Sequence, residues 1–423
     1  MNSVDDLLSY LHASPSPYHC VEESARRLRQ HGFVEVDEKA EPKTLQAGSG
    51  GYIRRAGTLI AWRAGSEAPA AAGFRLLGAH TDSPNLRVKP RPDVHSEGYW
   101  QWGVEVYGGV LLATWTDRDL GLAGRVFIKN EDGTVSSRLL CVDRPIARIP
   151  NLAIHLNRRV NEEGLTLNAQ KHLAPLLAVG EDENAFSEWL QGQLNVETVL
   201  SWDLGLFDVQ PPSIGGLHDE FVFSARLDNQ ASCHAALSAL LAAKTAKSTQ
   251  VIVLFDHEEV GSRSAQGAMG GFLRDVLACI ERDHEMRAKG GLERAIANSF
   301  LVSLDMAHGV HPNYADLHEK NHKPMLNAGP VIKEHAEQRY ATDGESTAWF
   351  RLACEEADVP CQDFVVRTDL ACGSTIGPIS SAQLGMRAID VGAAMLSMHS
   401  IREQCGTKDV DWTLRVLTHA LER

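Results

Sequence analysis

Residues 250–260 read QVIVLFDHEEV, and this stretch decides the fold. The run of apolar residues before Asp256 has the length and composition of a buried strand. Glu258 and Glu259 follow at the point where the apolar run ends. Charged side chains are rarely buried unless they are paired or hold a metal ion. The stretch therefore predicts a buried strand whose carboxyl end carries functional carboxylates.

Other apolar runs of the chain end in the same kind of residue. GFRLLGAH ends at His80, SARLD ends at Asp228 and NSFLVSLD ends at Asp305. A further strand-like run, RAIDVGAAM, is followed by His399. In open α/β sheets, ligands bind in the crevice beyond the carboxyl ends of the strands. We therefore expect these side chains to meet Glu258 and Glu259 in one crevice.

The pattern of strand-like and helical segments changes twice along the chain, and these changes predict its domains. Strand-like runs alternate with helical segments in residues 1–90 and 224–423, which predicts an α/β sheet covered by helices on both faces. Residues 91–223 consist of short alternating runs, and Asp132-Gly133 is a hairpin turn signal. We interpret residues 91–223 as a β-rich domain inserted into a discontinuous α/β domain.

Bulk composition excludes several classes of partner. The formal net charge is −14 with no long Lys/Arg block, which argues against nucleic acid and against an anionic membrane surface. Residues 1–30 lack the basic and apolar regions of a signal peptide, and no run is long enough to span a membrane. The eight cysteines form no CxxC pair. We expect reduced thiols and a cytoplasmic protein.

The collected strand-end residues favour a metal site. Several bare carboxylates close together repel one another, and divalent cations remove that repulsion. Nitrogen and oxygen ligands without sulfur suit zinc first, with manganese or cobalt as alternatives. The set is large enough for two ions. Asp82, two residues after His80, is a candidate to orient that imidazole.

Each of these residues also has a plainer interpretation. A histidine at a strand end is usually a satisfied polar residue, Asp228 could cap a helix, and Glu258-Glu259 could form a solvated turn. These interpretations do not explain why several strand ends carry the same ligand chemistry. The sequence contains no phosphate-binding loop and no nucleophile elbow. The ligand set alone leaves an aminopeptidase, a carboxypeptidase and a deacylase open.

Motifs along nearly the whole chain resemble those of one family, the M18 metallopeptidases or aspartyl aminopeptidases. No departure occurs at a metal or catalytic position. The motifs that carry the resemblance are SPSPYHCVEESARRL, GAHTDSPNLRVKP, TWTDRDLGLAGRV, RIPNLAIHLNR, ARLDNQAS, DHEEVGS, DMAHGVHPNY, GPVIKEHAEQRYAT, DLACGSTIGPI and LSMHSIRE.

The resemblance implies an α/β/α metallopeptidase domain with an inserted β-rich dimerisation domain. It implies two divalent ions bridged by Asp228. One ion is completed by His80 and Asp305, and the other by Glu259 and His399. Glu258 is the implied general base, a role that removes and returns a proton during the reaction.

Asp82 is counted with the catalytic residues because of its place beside His80, and two further residues take roles from the resemblance. His155 is implied to reach across a subunit interface to the substrate and the reacting group. Lys333 is implied to meet the side-chain carboxylate of the substrate, although sequence alone would favour an exposed strand-end lysine. A local cation is needed, because the net charge of −14 disfavours an acidic substrate at long range.

The implied function is release of N-terminal Asp or Glu from peptides by a homo-oligomer, a dodecamer built from dimers. A broad-specificity two-metal aminopeptidase or amidohydrolase is the first alternative. A non-catalytic assembly scaffold is the remote one. The intact Glu258 argues against a scaffold, which has no need of a base beside the ligands.

Overall fold

The computed structural model describes residues 2–41, 43–180, 185–286 and 289–423, and it forms two compact units. Unit 1 comprises Met1–Asp82, Pro212–Met398 and Glu403–Arg423. Unit 2 comprises Ser83–Pro211 and His399–Arg402. The chain thus enters unit 2 at Ser83 and returns to unit 1 at Pro212, in both cases before the predicted limits of 91 and 223. The dimerising role expected of the inserted part stays a prediction.

Strands and helices alternate over the described ranges. The strands are β1 (Val34–Glu35), β2 (Gly50–Arg55), β3 (Thr58–Arg63), β4 (Phe74–His80), β5 (Asn85–Ser96), β6 (Tyr99–Tyr107), β7 (Leu120–Lys129), β8 (Val135–Ala147), β9 (Leu176–Val179), β10 (Val199–Asp208), β11 (Ser213–Gly215), β12 (Phe221–Ser224), β13 (Thr249–Phe255), β14 (Phe300–Leu304), β15 (Ala307–His308), β16 (Val331–Glu334), β17 (Gln362–Val365), β18 (Arg387–Gly392), β19 (Ala394–Leu396) and β20 (Glu403–Gly406). The α-helices are α1 (Ser3–Ala13), α2 (Pro17–Gln30), α3 (Pro69–Ala72), α4 (Val160–Glu163), α5 (Ala169–His172), α6 (Phe186–Leu194), α7 (Leu227–Ala242), α8 (Phe272–Asp283), α9 (Gly291–Ala297), α10 (Gly344–Glu356), α11 (Ile376–Leu384) and α12 (Thr407–Glu422). Short 3₁₀ turns occupy Leu112–Trp115, Glu258–Val260 and Pro312–Leu317.

The main sheet of unit 1 has the strand order β1-β2-β3-β13-β4-β14-β18-β16-β17. Its central strands β13, β4, β14 and β18 run parallel to one another. Phe255 at the end of β13 is in register with His80 at the end of β4. Because the strands are parallel, their carboxyl ends meet at one edge of the sheet.

Alternating side chains bury both faces of this sheet. On β4, Leu77 and Ala79 join one core with residues of α2, α7, α10 and α12. Phe74 and Leu76 of the same strand join the opposite core with residues of α8, α9 and α11. The period of two along a strand sends neighbouring side chains to opposite faces. The predicted α/β fold with helices on both faces is confirmed.

A smaller sheet completes unit 1, with the order β11-β12-β20-β19-β15. The antiparallel pair β12 and β20 places Ser224 opposite Glu403. Strands β11 and β12 lie within the stretch predicted to be β-rich, but they belong to unit 1 because they extend the sheet that contains β20. This sheet leads the chain to α7, whose first turn contains Asp228.

Unit 2 contains a six-stranded sheet with the order β8-β7-β10-β5-β6-β9. Its strands pair antiparallel, and the predicted hairpin at Asp132-Gly133 joins β7 to β8. An aromatic cluster centred on Phe186 lies in its core. The rings of Trp102 and Trp202 meet the Phe186 ring edge-on, with ring centroids 4.7 and 4.9 Å from that of Phe186. Across both units, the described helices include none that is long and apolar enough to cross a bilayer.

Candidate metal centre

Three adjacent parallel strands of unit 1 deliver most of the predicted ligands. His80 ends β4, Glu258 and Glu259 lie on the 3₁₀ turn after β13, and Asp305 directly follows β14. Strands β13, β4 and β14 are neighbours in the sheet. The sequence-based expectation that polar strand ends meet at one crevice therefore has a simple physical basis in the parallel register.

Asp228 reaches the same place from another element. It lies in the first turn of α7, but its φ and ψ of −82° and 106° are not helical, and the peptide bond to Asn229 is cis. The N-cap position of α7 falls at Arg226, two residues before Asp228. The extended backbone at Asp228 frees its carboxylate for contacts outside the helix.

The ligand atoms form two groups that share His80. In each group, atoms from three residues lie within 4.8 Å of one another: His80, Asp228 and Glu259 in the first, and His80, Glu258 and Asp305 in the second. The Nε2 atom of His80 is 3.5 Å from Asp228 Oδ1 and 3.9 Å from Glu258 Oε2. A single buried imidazole thus lies between carboxylates of separate elements.

The Asp82 carboxylate holds the turn that carries Glu258 and Glu259. Its Oδ1 accepts from the backbone N–H of Glu258, and its Oδ2 accepts from the N–H of Glu259, each at 3.1 Å. The His80 Nδ1 lies 3.0 Å from the Asp82 backbone oxygen and 3.4 Å from its Oδ1. Asp82 is fully buried, so one carboxylate fixes the turn and borders the imidazole at the same time.

Burial, with crowding of like charge as a smaller cause, raises the pKa values of the carboxylates in this cluster. Burial raises the pKa of Glu258 to about 8, against the opposing charge of His80. Burial and the charge of Asp228 raise the pKa of Glu259 well above its ordinary range. Burial also raises the pKa of Asp305, although the charge of Lys333 opposes this. The carboxylates would be stabilised by a nearby cation.

The pKa of the His80 imidazole is raised as well, but by the neighbouring carboxylates and against the effect of burial. Burial alone would lower the pKa of His80, but the charge of Glu258 and the hydrogen bond to Asp228 raise it well above its usual value. The donor set therefore fits a divalent ion chemically: imidazole nitrogen and carboxylate oxygens, without a thiolate, within the reach of one another. Such a set suits zinc.

Lys333 is buried, with 2% of its surface exposed, so the expectation of an exposed strand-end lysine is wrong. It lies on β16, which is flanked in the sheet by β18 and β17. Its Nζ donates to the backbone oxygen of Asp305 at 2.8 Å and lies 3.7 Å from Asp305 Oδ1. The ring of Tyr340 lies beneath it, 5.1 Å from Nζ to the ring centroid. A fixed cation thus adjoins the cluster.

Two predicted residues belong to unit 2. His155 lies on an exposed turn between β8 and α4. His399 has a left-handed backbone with φ of 66°, and its Nδ1 lies 3.0 Å from the backbone oxygen of Gly109. Neither histidine is a member of the two ligand groups in the described part of the chain. Their predicted roles stay predictions.

Sequence reasoning missed the side chains that support the ligands. Asn229 Nδ2 donates to Leu304 O at 2.7 Å, and Cys233 Sγ donates to His80 O at 2.9 Å. Glu403 accepts from the N–H of Asp228. The motifs ARLDNQAS and LSMHSIRE contain Asn229 and Glu403, and Cys233 directly follows the first motif, but the role of each residue depends on contacts between distant segments.

The raised pKa values predict how the metal-free protein responds to pH. Glu258 binds its proton more tightly in the folded state than in the unfolded state, and His80 does so as well. The free energy of unfolding of chelator-treated protein is therefore expected to fall as pH rises from 4.5 to about 8. Thermal unfolding across this interval measures it, and zinc should flatten the dependence. A chelated protein that becomes more stable over the same interval contradicts the prediction.

A sheet flanked by helices, with histidine and carboxylates at its strand ends, defines the class of metal-dependent hydrolases of α/β/α architecture. The family model described as "Aminopeptidase I zinc metalloprotease (M18)" matches residues 10–419. The chain therefore belongs to the M18 family and is a metallo-aminopeptidase. The predicted family membership is confirmed.

Individual relatives agree with this assignment. The "Probable M18 family aminopeptidase 2" of Azotobacter vinelandii is 49% identical over 421 residues, covering 97% of this chain and 96% of the relative. A solved structure of the Ape4 and Nbr1 complex superimposes with a TM-score of 0.93 at 38% identity, covering 99% of this chain and 85% of that chain. The S. cerevisiae mApe1 dodecamer gives a TM-score of 0.84 at 29% identity, covering 98% and 95%.

Proposed function

We propose that the chain is an aminopeptidase that uses two zinc ions to release N-terminal Asp or Glu from peptides. The observation that carries the acidic specificity is the buried Lys333, whose Nζ lies 3.7 Å from Asp305 Oδ1. A buried ammonium is costly unless it has a negative partner. A substrate carboxylate would give Lys333 a second one, beside the bond that is to be cleaved.

The proposed ligands follow the two groups at the strand ends. Asp228 would bridge the ions, with His80 and Asp305 on one and Glu259 and His399 on the other. Asp228 Oδ1 is 3.5 Å from His80 Nε2, and its charge raises the pKa of both Glu259 and Asp305. Zinc at such a site lowers the pKa of water and polarises the substrate carbonyl.

Glu258 would move the proton. Without bound metal, burial raises its pKa to about 8, so this carboxylate can hold a proton near neutral pH. In the proposed reaction, Glu258 takes a proton from the attacking water and passes one to the leaving amine. Asp82 holds the backbone N–H of Glu258, which keeps the carboxylate directed at the cluster. Asp82 thus serves catalysis through the position of the base.

The assembly is proposed by analogy with the relatives. One similar solved structure is described as a dodecamer, and we propose a homo-dodecamer built from dimers for this chain. His155, on an exposed turn of unit 2, would then serve the site of a neighbouring subunit. The expected cytoplasmic location stays part of this proposal.

A panel of peptides that differ only at the N-terminal residue tests the function. Peptides beginning with Asp or Glu are expected to be cleaved at least about 10-fold faster than those beginning with Leu or Ala, since a charge-assisted contact is lost in the latter. A chelator should abolish cleavage, and two equivalents of zinc per chain should restore it. Equal rates on all peptides would favour a broad aminopeptidase, and no cleavage of any would favour a scaffold.

A further inference from the structure

A buried carboxylate beyond the ligand groups contacts the backbone of Asp228. Glu403 is the first residue of β20, and only 2% of its surface is exposed. Its Oε2 accepts from the backbone N–H of Asp228 at 3.1 Å. The antiparallel pairing of β20 with β12 sets Glu403 opposite Ser224, four residues before Asp228. The small sheet thus delivers this carboxylate to the segment that enters α7.

The contact acts where the backbone departs from the helix. Asp228 and Asn229 both have non-helical φ and ψ, so the regular hydrogen bonds of a helix do not define this segment. Glu403 holds it from one side through the Asp228 N–H. Asn229 holds it from the other, because its Nδ2 donates to Leu304 O at 2.7 Å. Leu304 directly precedes Asp305, so the same hydrogen bond ties Asp228 to a second ligand segment.

A carboxylate is a strong choice for this task. Hydrogen bonds to an ionised acceptor are roughly twice as strong as neutral ones. A buried charge also adds to the negative potential that attracts a cation. Outer partners of this kind fix ligand orientation, and their loss typically weakens metal binding by about 10–100-fold.

We propose that Glu403 is a positioning residue of the metal centre. It fixes the Asp228 carboxylate by accepting a hydrogen bond from the backbone N–H of Asp228. The inference rests on the proposed function, in which Asp228 is the bridging ligand. It adds to that function a residue that touches neither metal nor substrate.

The test measures zinc affinity by competition with a chromophoric chelator, in the full-length protein. Glu403→Ala is expected to raise the zinc dissociation constant by about 10–100-fold. Glu403→Gln keeps an acceptor oxygen but loses the charge, so its increase should be smaller, about 3–10-fold. Tighter zinc binding in Glu403→Gln than in Glu403→Ala would show that Glu403 acts through its hydrogen bond and not only by filling space.

Asp409 supplies a matched control. It is fully buried in unit 1 and accepts from the backbone N–H of Asn327 at 2.6 Å and of Gly329 at 2.9 Å. Asp409→Ala should lower the Tm without weakening zinc binding by as much as threefold, since it supports no ligand segment. If Glu403→Ala does not fold, Glu403→Gln decides alone.

The outcomes distinguish this inference from the proposed function. Wild-type protein that binds no zinc would overturn the proposed function and this inference with it. Wild-type protein that binds two zinc ions, with unchanged affinity in Glu403→Gln and in any folded Glu403→Ala, would overturn the positioning role alone. Equal losses of zinc affinity in Glu403→Ala and Asp409→Ala would also overturn it, because the effect would then be general destabilisation.

Discussion

Glu258→Gln is expected to lower kcat by about 10²–10⁴-fold, because the amide cannot accept a proton from water. The substitution keeps the size of the side chain and its backbone N–H, which Asp82 holds at 3.1 Å. The geometry of the turn should therefore survive. Steady-state kinetics on an Asp-terminated peptide, together with zinc content per chain, measures the effect. Two bound ions with little activity is the expected result.

The neighbouring residue provides the control for this experiment. Glu259 is a proposed ligand, so Glu259→Gln should lose zinc as well as activity. Excess zinc should restore part of the activity of Glu259→Gln and none of the activity of Glu258→Gln. A Glu258→Gln protein with full activity removes the base from the mechanism. A Glu258→Gln protein that lacks one ion would instead make Glu258 a ligand.

Lys333→Met is expected to lower kcat/KM for Asp- and Glu-terminated peptides by about 10–100-fold, because the charge-assisted contact to the substrate carboxylate disappears. Met has a similar length and no charge, so the packing above Tyr340 should be retained. Leu-terminated peptides should be cleaved at the wild-type rate or faster. The ratio of the two kcat/KM values is the quantity to measure.

Lys247→Met is the matched control for this substitution. Lys247 is an exposed lysine of unit 1 with an ion pair to Glu67 at 3.3 Å. Its replacement changes the net charge by the same amount and should leave the Asp-to-Leu ratio unchanged. An unchanged ratio in Lys333→Met would place Lys333 outside the substrate pocket and leave it with a supporting contact to Asp305 alone.

Local pattern was enough to predict the sheet and its strand ends. The run before Asp256 and the run ending at His80 are mostly apolar and form strands that are almost wholly buried, and carboxylates follow where the strands end. Since these strands are parallel neighbours, the ends meet without further information. The same logic predicted the place of Asp305 after β14.

Features that depend on pairing between distant segments were not predictable in this way. The place of Lys333 beside Asp305 depends on the order of the strands, in which β16 lies between β18 and β17, and local pattern does not contain that order. Glu403 supports Asp228 because β20 pairs with β12 in the small sheet, although Glu403 and Asp228 are 175 residues apart in sequence. Asp82 was predicted as a partner of His80 from its spacing, but its bonds to the N–H groups of Glu258 and Glu259 come from the fold.

The discontinuous path of unit 1 has a consequence for biosynthesis. In the sheet, β4 lies between β13 and β14, yet Thr81 after β4 and Phe255 of β13 are 174 residues apart in sequence. At a translation rate of about 5–20 residues per second, β4 waits roughly 9–35 seconds for its first sheet neighbour to be made. During that interval a strand whose residues are nearly all buried in the finished sheet has open edges, which are prone to mispairing. The strand that supplies His80 is thus a part of the nascent chain that needs protection on the ribosome.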